Sequence, residues 1–121
     1  MPWILNASGP IFVQLIEHLQ NNIVSGKYDP GQKLPSVRDL AFDAGVNPNT
    51  MQRALSELES TGLVHSETTS GRFITEDKKM IDELRASLAD SLKQEFFINM
   101  GKLGFSEKEI LQFVNQNSTA K

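Results

Sequence analysis

Residues 34–62 contain two short amphipathic stretches separated by a glycine and an Asn-Pro pair, an arrangement that few folds accommodate. Ser36 is a side-chain cap ahead of Val37, Leu40, Ala41 and Ala44, which share one helical face. Asp39, at the third helical position, suits the positive end of the helix dipole. Gly45 ends that helix, because the residue just past a helix often takes positive φ and glycine does so without a Cβ clash. Val46 is expected as the buried pin of the turn. Asn47 caps the next helix, and Pro48 fits its first position, where the amide hydrogen it lacks would have been unpaired. Met51, Ala54, Leu55 and Leu58 then form an inner stripe, leaving Asn49, Thr50, Gln52, Arg53 and Ser56 turned outward.

This is the sequence form of a helix-turn-helix. Its open face carries groove-reading chemistry. Arginine can bridge guanine O6 and N7, asparagine or glutamine can bridge adenine N6 and N7, and threonine can reach a phosphate or a thymine methyl. Taken singly, Asn49 or Gln52 is ordinary solvated surface; the complete arrangement is what points to DNA. Gly62 and a hairpin over residues 63–75, with Leu63 and Val64 leading up, a turn at residues 68–71 and Phe73 and Ile74 returning, add a wing.

Upstream, the apolar Trp3, Ile4 and Leu5 predict a packed arm over residues 2–9. Pro10 opens a helix with Phe12, Leu15, Ile16, Leu19 and Ile23 on one face, ending near Gly26, and Asp29, Pro30 and Gly31 make a turn. Downstream, Ile81, Leu84, Leu88, Leu92, Phe96 and Met100 recur at three- and four-residue steps over residues 78–100. Ser106 to Glu109 form a capping box, with Phe105 and Ile110 as a hydrophobic staple, and Ile110, Leu111, Phe113 and Val114 give the last helix its apolar side. Two helices in some forty residues cannot enclose a core, so the stripes need a partner, and the expected use is pairing with a second copy. Packing back on the same subunit is the alternative. The candidate pairing residues are Ile81, Leu84, Leu88, Leu92, Phe96, Ile110, Phe113 and Val114, and residues 117–121 are expected to fray. The expected fold is α+β and mostly helical: a winged helix-turn-helix domain with its arm over residues 1–77, then a two-helix dimerisation tail over residues 78–121.

Composition narrows the function classes. The chain has 121 residues and no cysteine, so it has no disulfide, thiolate metal site or cysteine nucleophile. No membrane-spanning stretch or secretory leader is visible, and the expected location is the cytoplasm. No Ser-His-Asp spacing, metal cluster or phosphate-cradling loop supports catalysis, and no cofactor is expected. The net charge of −3 runs against the basic excess usual in DNA-binding domains. Residues 1–77 carry five basic residues, Lys27, Lys33, Arg38, Arg53 and Arg72, against nine carboxylates. DNA binding therefore requires clustering of Lys33, Arg38, Arg53 and Arg72, and bulk charge predicts modest, salt-sensitive affinity.

The runs Pro10 to Ile16, Ser25 to Ala41, Gly45 to Thr50 and Leu58 to Val64 resemble the signature of the GntR family of bacterial transcriptional regulators. Leu34-Pro35-Ser36-Val37-Arg38 and Val46-Asn47-Pro48-Asn49-Thr50, with the short helical tail, resemble most the YtrA subgroup. That resemblance implies a tail of two dimerisation helices and a homodimeric repressor on a two-fold operator, often of a transporter operon. It also implies that Arg38 touches phosphate or base, that Asn49, Thr50 and Arg53 occupy reading positions, and that Gly71 is the second wing glycine. The chain departs from the family where Glu67, Thr68 and Thr69 replace basic residues and a first glycine, one that could approach the groove closely or take positive φ. The full candidate DNA-contacting set is Lys33, Ser36, Arg38, Asn47, Asn49, Thr50, Gln52, Arg53, Ser70, Gly71 and Arg72. A winged helix given over to protein interaction, with weakened DNA binding, is the alternative function. Any small-molecule effector is of unknown identity, and a tail this short confines it to a site between helices or at the dimer seam.

Overall fold

The computed structural model describes residues 3–7 and 9–117. Met1, Pro2, Ser8 and residues 118–121 lie outside the described residues, and with them most of the tail expected to fray. The order is α1 (Ile11–Val24), α2 (Val37–Ala44), α3 (Pro48–Ser60), β1 (Val64–Glu67), β2 (Gly71–Ile74), α4 (Lys78–Lys102) and α5 (Glu107–Asn117).

The local chemistry sets these boundaries. Ser36 Oγ accepts the Asp39 amide at 3.1 Å, Gly45 closes α2 at φ 71° and ψ 35°, and Asn47 Oδ1 accepts the Asn49 amide at 2.7 Å with Pro48 at the first position of α3. The β1–β2 hairpin is antiparallel and pairs Val64 with Ile74 and Glu67 with Gly71. A pairing not read from the sequence lies beside it. Lys33 bridges to Phe73, with the Leu34 amide donating to Arg72 O at 2.8 Å and the Ile74 amide to Gln32 O at 2.9 Å. The approach to α2 is thereby laced to the wing.

The chain forms two compact units, Met1–Arg85 and Ala86–Lys121, dividing within α4. In the first, Leu15, Leu19 and Ile23 from α1 pack with Leu40, Met51, Leu55, Leu58, Val64 and Ile74. All four residues of the predicted inner stripe of α3 are buried, and truncating one such leucine to alanine costs about 2–5 kcal/mol. Val46 is only half-buried at the edge of this core. The arm packs through Trp3 and Leu5, whereas Ile4 is 85% exposed: Trp3 stacks on His18 with ring centroids 3.9 Å apart, and Gln14 Nε2 donates to Asn6 O at 2.8 Å and Gly9 O at 3.0 Å. Burial, with Lys27 nearby, holds the His18 imidazole below its ordinary value.

The start of α4 corrects two expectations. Ile81 is 8% exposed and belongs to the core of the first unit, and Leu84 packs partly buried against that core. Ile81 is thus taken up by its own chain, while Leu84 keeps part of its surface outside that core. Asp77, whose Oδ1 accepts the Met80 amide at 3.1 Å, starts α4, but the compact unit extends beyond the expected boundary at residue 77 because the first turns of the helix complete its core.

In the second unit, Ser106 and Glu109 close the expected capping box. The Glu109 amide donates to Ser106 Oγ at 3.2 Å, and the Ser106 amide donates to Glu109 Oε1 at 2.8 Å. Ile110 is buried, and the Phe105 and Phe113 ring centroids lie 6.3 Å apart. Leu92, Phe96, Ile98, Leu103, Leu111, Phe113 and Val114 remain exposed, Leu92 at 66% and Leu103 at 73%.

Candidate nucleic-acid interface

With one side of α3 held in the core, Asn49, Gln52, Arg53 and Ser56 stand exposed on the other, and Thr50 is half-buried at its edge. Gln52 Nε2 donates to Ser56 Oγ at 3.3 Å, a contact within the helix surface that solvent or a base edge can replace. Arg53 is held differently. Its guanidinium carbon lies 4.3 Å from the centroid of the Phe12 ring on α1.

Asn47 caps α3, and the other predicted residues gather around the start of α2. Lys33, Ser36, Ser70, Gly71 and Arg72 line one open cleft of about 520 Å³ between that helix start and the wing. The bridge from Lys33 to Phe73 is what brings them together. Gly71 takes φ 105°, and a Cβ there would stand 3.1 Å from Lys33 Cε, so glycine gives both the backbone conformation and the room for the lysine stem. Arg38, the second residue of α2, is exposed.

Two residues of the candidate set serve as the helix caps the sequence predicts, and a third is less free than expected. Ser36 and Asn47 each use a side-chain oxygen on a helix cap. Arg72, expected to supply charge to the wing, instead donates from Nε to Glu59 Oε1 at 2.9 Å, and the same carboxylate accepts the Ser66 hydroxyl. The Ser66 hydrogen bond, joined by that of Arg72 and its charge, holds the Glu59 carboxyl below its ordinary range despite partial burial. Phe12 and Glu59 thus each hold a residue of the candidate set, and sequence reasoning selects neither. Phe12 reads from sequence only as part of the core stripe of α1, and the pairing of Glu59 with Arg72 spans thirteen positions with no local pattern to announce it.

The remaining wing charges are weakly engaged. Glu67 Oε2 lies 3.7 Å from His65 Nε2, both side chains being about half exposed. Among the described residues no group of three or more histidines and carboxylates could hold a metal ion, and no helix is long and apolar enough to cross a membrane.

Comparison with known proteins agrees with this geometry. Residues 12–74 match the model of the bacterial regulatory proteins of the gntR family. The uncharacterized HTH-type transcriptional regulator YhcF of Bacillus subtilis is 38% identical over 106 residues, covering 88% of each chain. The HTH-type transcriptional repressor YtrA of the same organism is 36% identical over 90 residues, covering 73% of this chain and 69% of the repressor. Among solved structures, a GntR family transcriptional regulator from Listeria monocytogenes superimposes with a TM-score of 0.85 at 38% identity, covering 93% of this chain and 98% of the other.

Proposed function

The chain belongs to the GntR family of bacterial transcriptional regulators, and on that premise we propose that it is a homodimeric repressor reading a two-fold-symmetric operator in the cytoplasm. The observation that carries this reading is the division of α3 into a fully buried stripe and an exposed polar face centred on Asn49 and Arg53. A helix so mounted enters the major groove with its N-terminal half against the base edges. In this assignment Arg53 and Asn49 contact bases, Arg38, Thr50 and Lys33 contact phosphates, and the cleft between α2 and the wing follows the backbone.

The repressor sense is taken from the relationship to YtrA, and transporter genes, which the family resemblance implies, are the first expected targets. The dimer reading rests on the exposed apolar side chains of residues 92–114, which cost free energy unless covered. Two motifs related by the dimer axis require inverted half-sites.

Selection of binding sites from a randomised duplex library by the full-length protein tests the reading. An inverted repeat bound by a dimer is the expected product. Failure to enrich any sequence, with only weak binding that vanishes in moderate salt, would favour the second reading, a winged helix given over to protein contacts. The acidic balance and the engagement of Arg72 by Glu59 are the observations on that side.

A further inference from the structure

We infer that Phe12 is a positioning residue for DNA reading: its ring holds the Arg53 guanidinium in the orientation in which α3 presents it to a base. The inference rests on the assignment of α3 as the groove-reading helix. Arginine carries more side-chain rotamer entropy than most residues, and an exposed arginine must give much of it up on docking. Here the guanidinium carbon already lies 4.3 Å from the Phe12 centroid, within the range where a cation is drawn to an aromatic face.

The ring is itself fixed. Phe12 lies in the first turn of α1, partly buried against the core, while Leu15 and Leu19 of the same helix are fully buried. The phenyl ring offers no nitrogen or oxygen acceptor, so the contact ties no guanidinium N–H into a conventional hydrogen bond, and two of the five donors suffice for a bidentate contact with guanine O6 and N7. The contrast with Arg72 is chemical. Arg72 has a donor committed to Glu59, whereas the Phe12 contact commits none of the donors of Arg53. One arginine of this surface is therefore tied down and the other is aimed.

The test uses the full chain and the duplex it selects from a randomised library. Competition binding is measured against that duplex, its single-base variants and an unrelated duplex, for the native protein, Phe12→Leu, Phe12→Tyr, Arg53→Ala and the Phe12→Leu/Arg53→Ala pair. Phe12→Leu, which keeps the apolar bulk, should weaken the selected site about two- to five-fold, the size expected of an exposed cation–π contact. The loss should fall at the base position whose preference Arg53→Ala also flattens. Affinity for unrelated DNA and the salt slope should not move, Phe12→Tyr should restore binding, and Phe12→Leu should add nothing once Arg53 is alanine. In the free protein, the Arg53 δ protons should show an upfield ring-current shift that Phe12→Leu abolishes. Should Phe12→Leu melt too early to assay, Phe12→Met replaces it. If Arg53→Ala flattens a base position but Phe12→Leu does not, or if Phe12→Leu costs as much without Arg53 as with it, the positioning role is overturned. If Arg53→Ala leaves every base preference intact while the ring-current shift is present, it is the groove-reading assignment of Arg53 that fails.

Discussion

Arg72 Nε donates to Glu59 Oε1 at 2.9 Å, which joins the one arginine of the two wing strands to the last turn of α3. The pair is largely screened from solvent and is reinforced by the Ser66 hydroxyl on the same carboxylate, so it braces the hairpin against α3. Its removal should therefore be felt first as a loss of stability and only second as a loss of charge.

The two arginines flanking the cleft should separate in a salt series. Arg38→Ala is expected to weaken specific and non-specific binding alike and to reduce the log–log salt slope by about 0.9, the change expected when one phosphate is no longer neutralised. Arg72→Ala should leave that slope unchanged while lowering the unfolding free energy by on the order of 1–2 kcal/mol, as expected for a charge-assisted hydrogen bond in a partly buried site. A slope that falls equally for both variants would show that Arg72 leaves Glu59 to bind DNA.

The same carboxylate makes stability depend on pH. The Ser66 hydroxyl, with Arg72, holds the folded-state pKa of Glu59 below the 4.5 of a free glutamate. Between the folded and unfolded values the unfolded chain binds more protons, so stability rises with pH across that window. The contribution is fully present above 4.5 and is lost as pH falls through the folded value. Thermal unfolding of Glu59→Gln should show a shallower acid limb than the native protein; superimposable limbs would mean that Glu59 does not set the acid response.

Reading from sequence succeeds where the determinants are local. Ser36, Gly45, Asn47 and Pro48 fix the turn through backbone chemistry within a few residues, and the Ser106–Glu109 box does the same for α5. The stripe on α4 is misapportioned by sequence because periodicity gives the face of a helix and not its neighbour. Ile81 and Leu84 continue the same stripe as Leu88 and Leu92, yet they are packed into the first unit. The hold of Phe12 on Arg53 and that of Glu59 on Arg72 join separate elements, and no spacing rule encodes them.

That division sharpens the expectation for dimerisation. Leu92→Asp or Phe96→Asp should shift the full-length protein toward monomer at micromolar concentration by light scattering, with the melting of the first unit unchanged. Ile81→Asp should instead destabilise the first unit by several kcal/mol, the cost of placing an unpaired charge in a core. A native protein already monomeric under these conditions, or one still dimeric with Leu92 and Phe96 both replaced, would remove residues 92–96 from the interface.

The wing carries Glu67 and Thr69 where the resemblance to the family implies a basic residue and a glycine. Glu67 is about half exposed, and its Oε2 lies 3.7 Å from His65 Nε2. Thr69 takes no positive φ, so the turn does not need the glycine it replaces. Gly71 supplies the left-handed position, and the Ser70 amide closes the turn on Glu67 O at 3.1 Å. A glycine at position 69 would thus act by clearance and not by backbone geometry, and it would loosen the unfolded chain at a small cost in stability. The native wing is expected to add little affinity, because a carboxylate stands where a cation would meet phosphate. Glu67→Arg combined with Thr69→Gly should strengthen binding to operator and unrelated DNA alike and steepen the log–log salt slope by about 0.9 if the new arginine neutralises one phosphate. Glu67→Gln, which removes the charge without adding a donor cation, should give a smaller increase in affinity with little change of slope. If affinity and slope both stay at the native values in the double variant, the hairpin faces away from the duplex, and recognition rests on α3 and the start of α2.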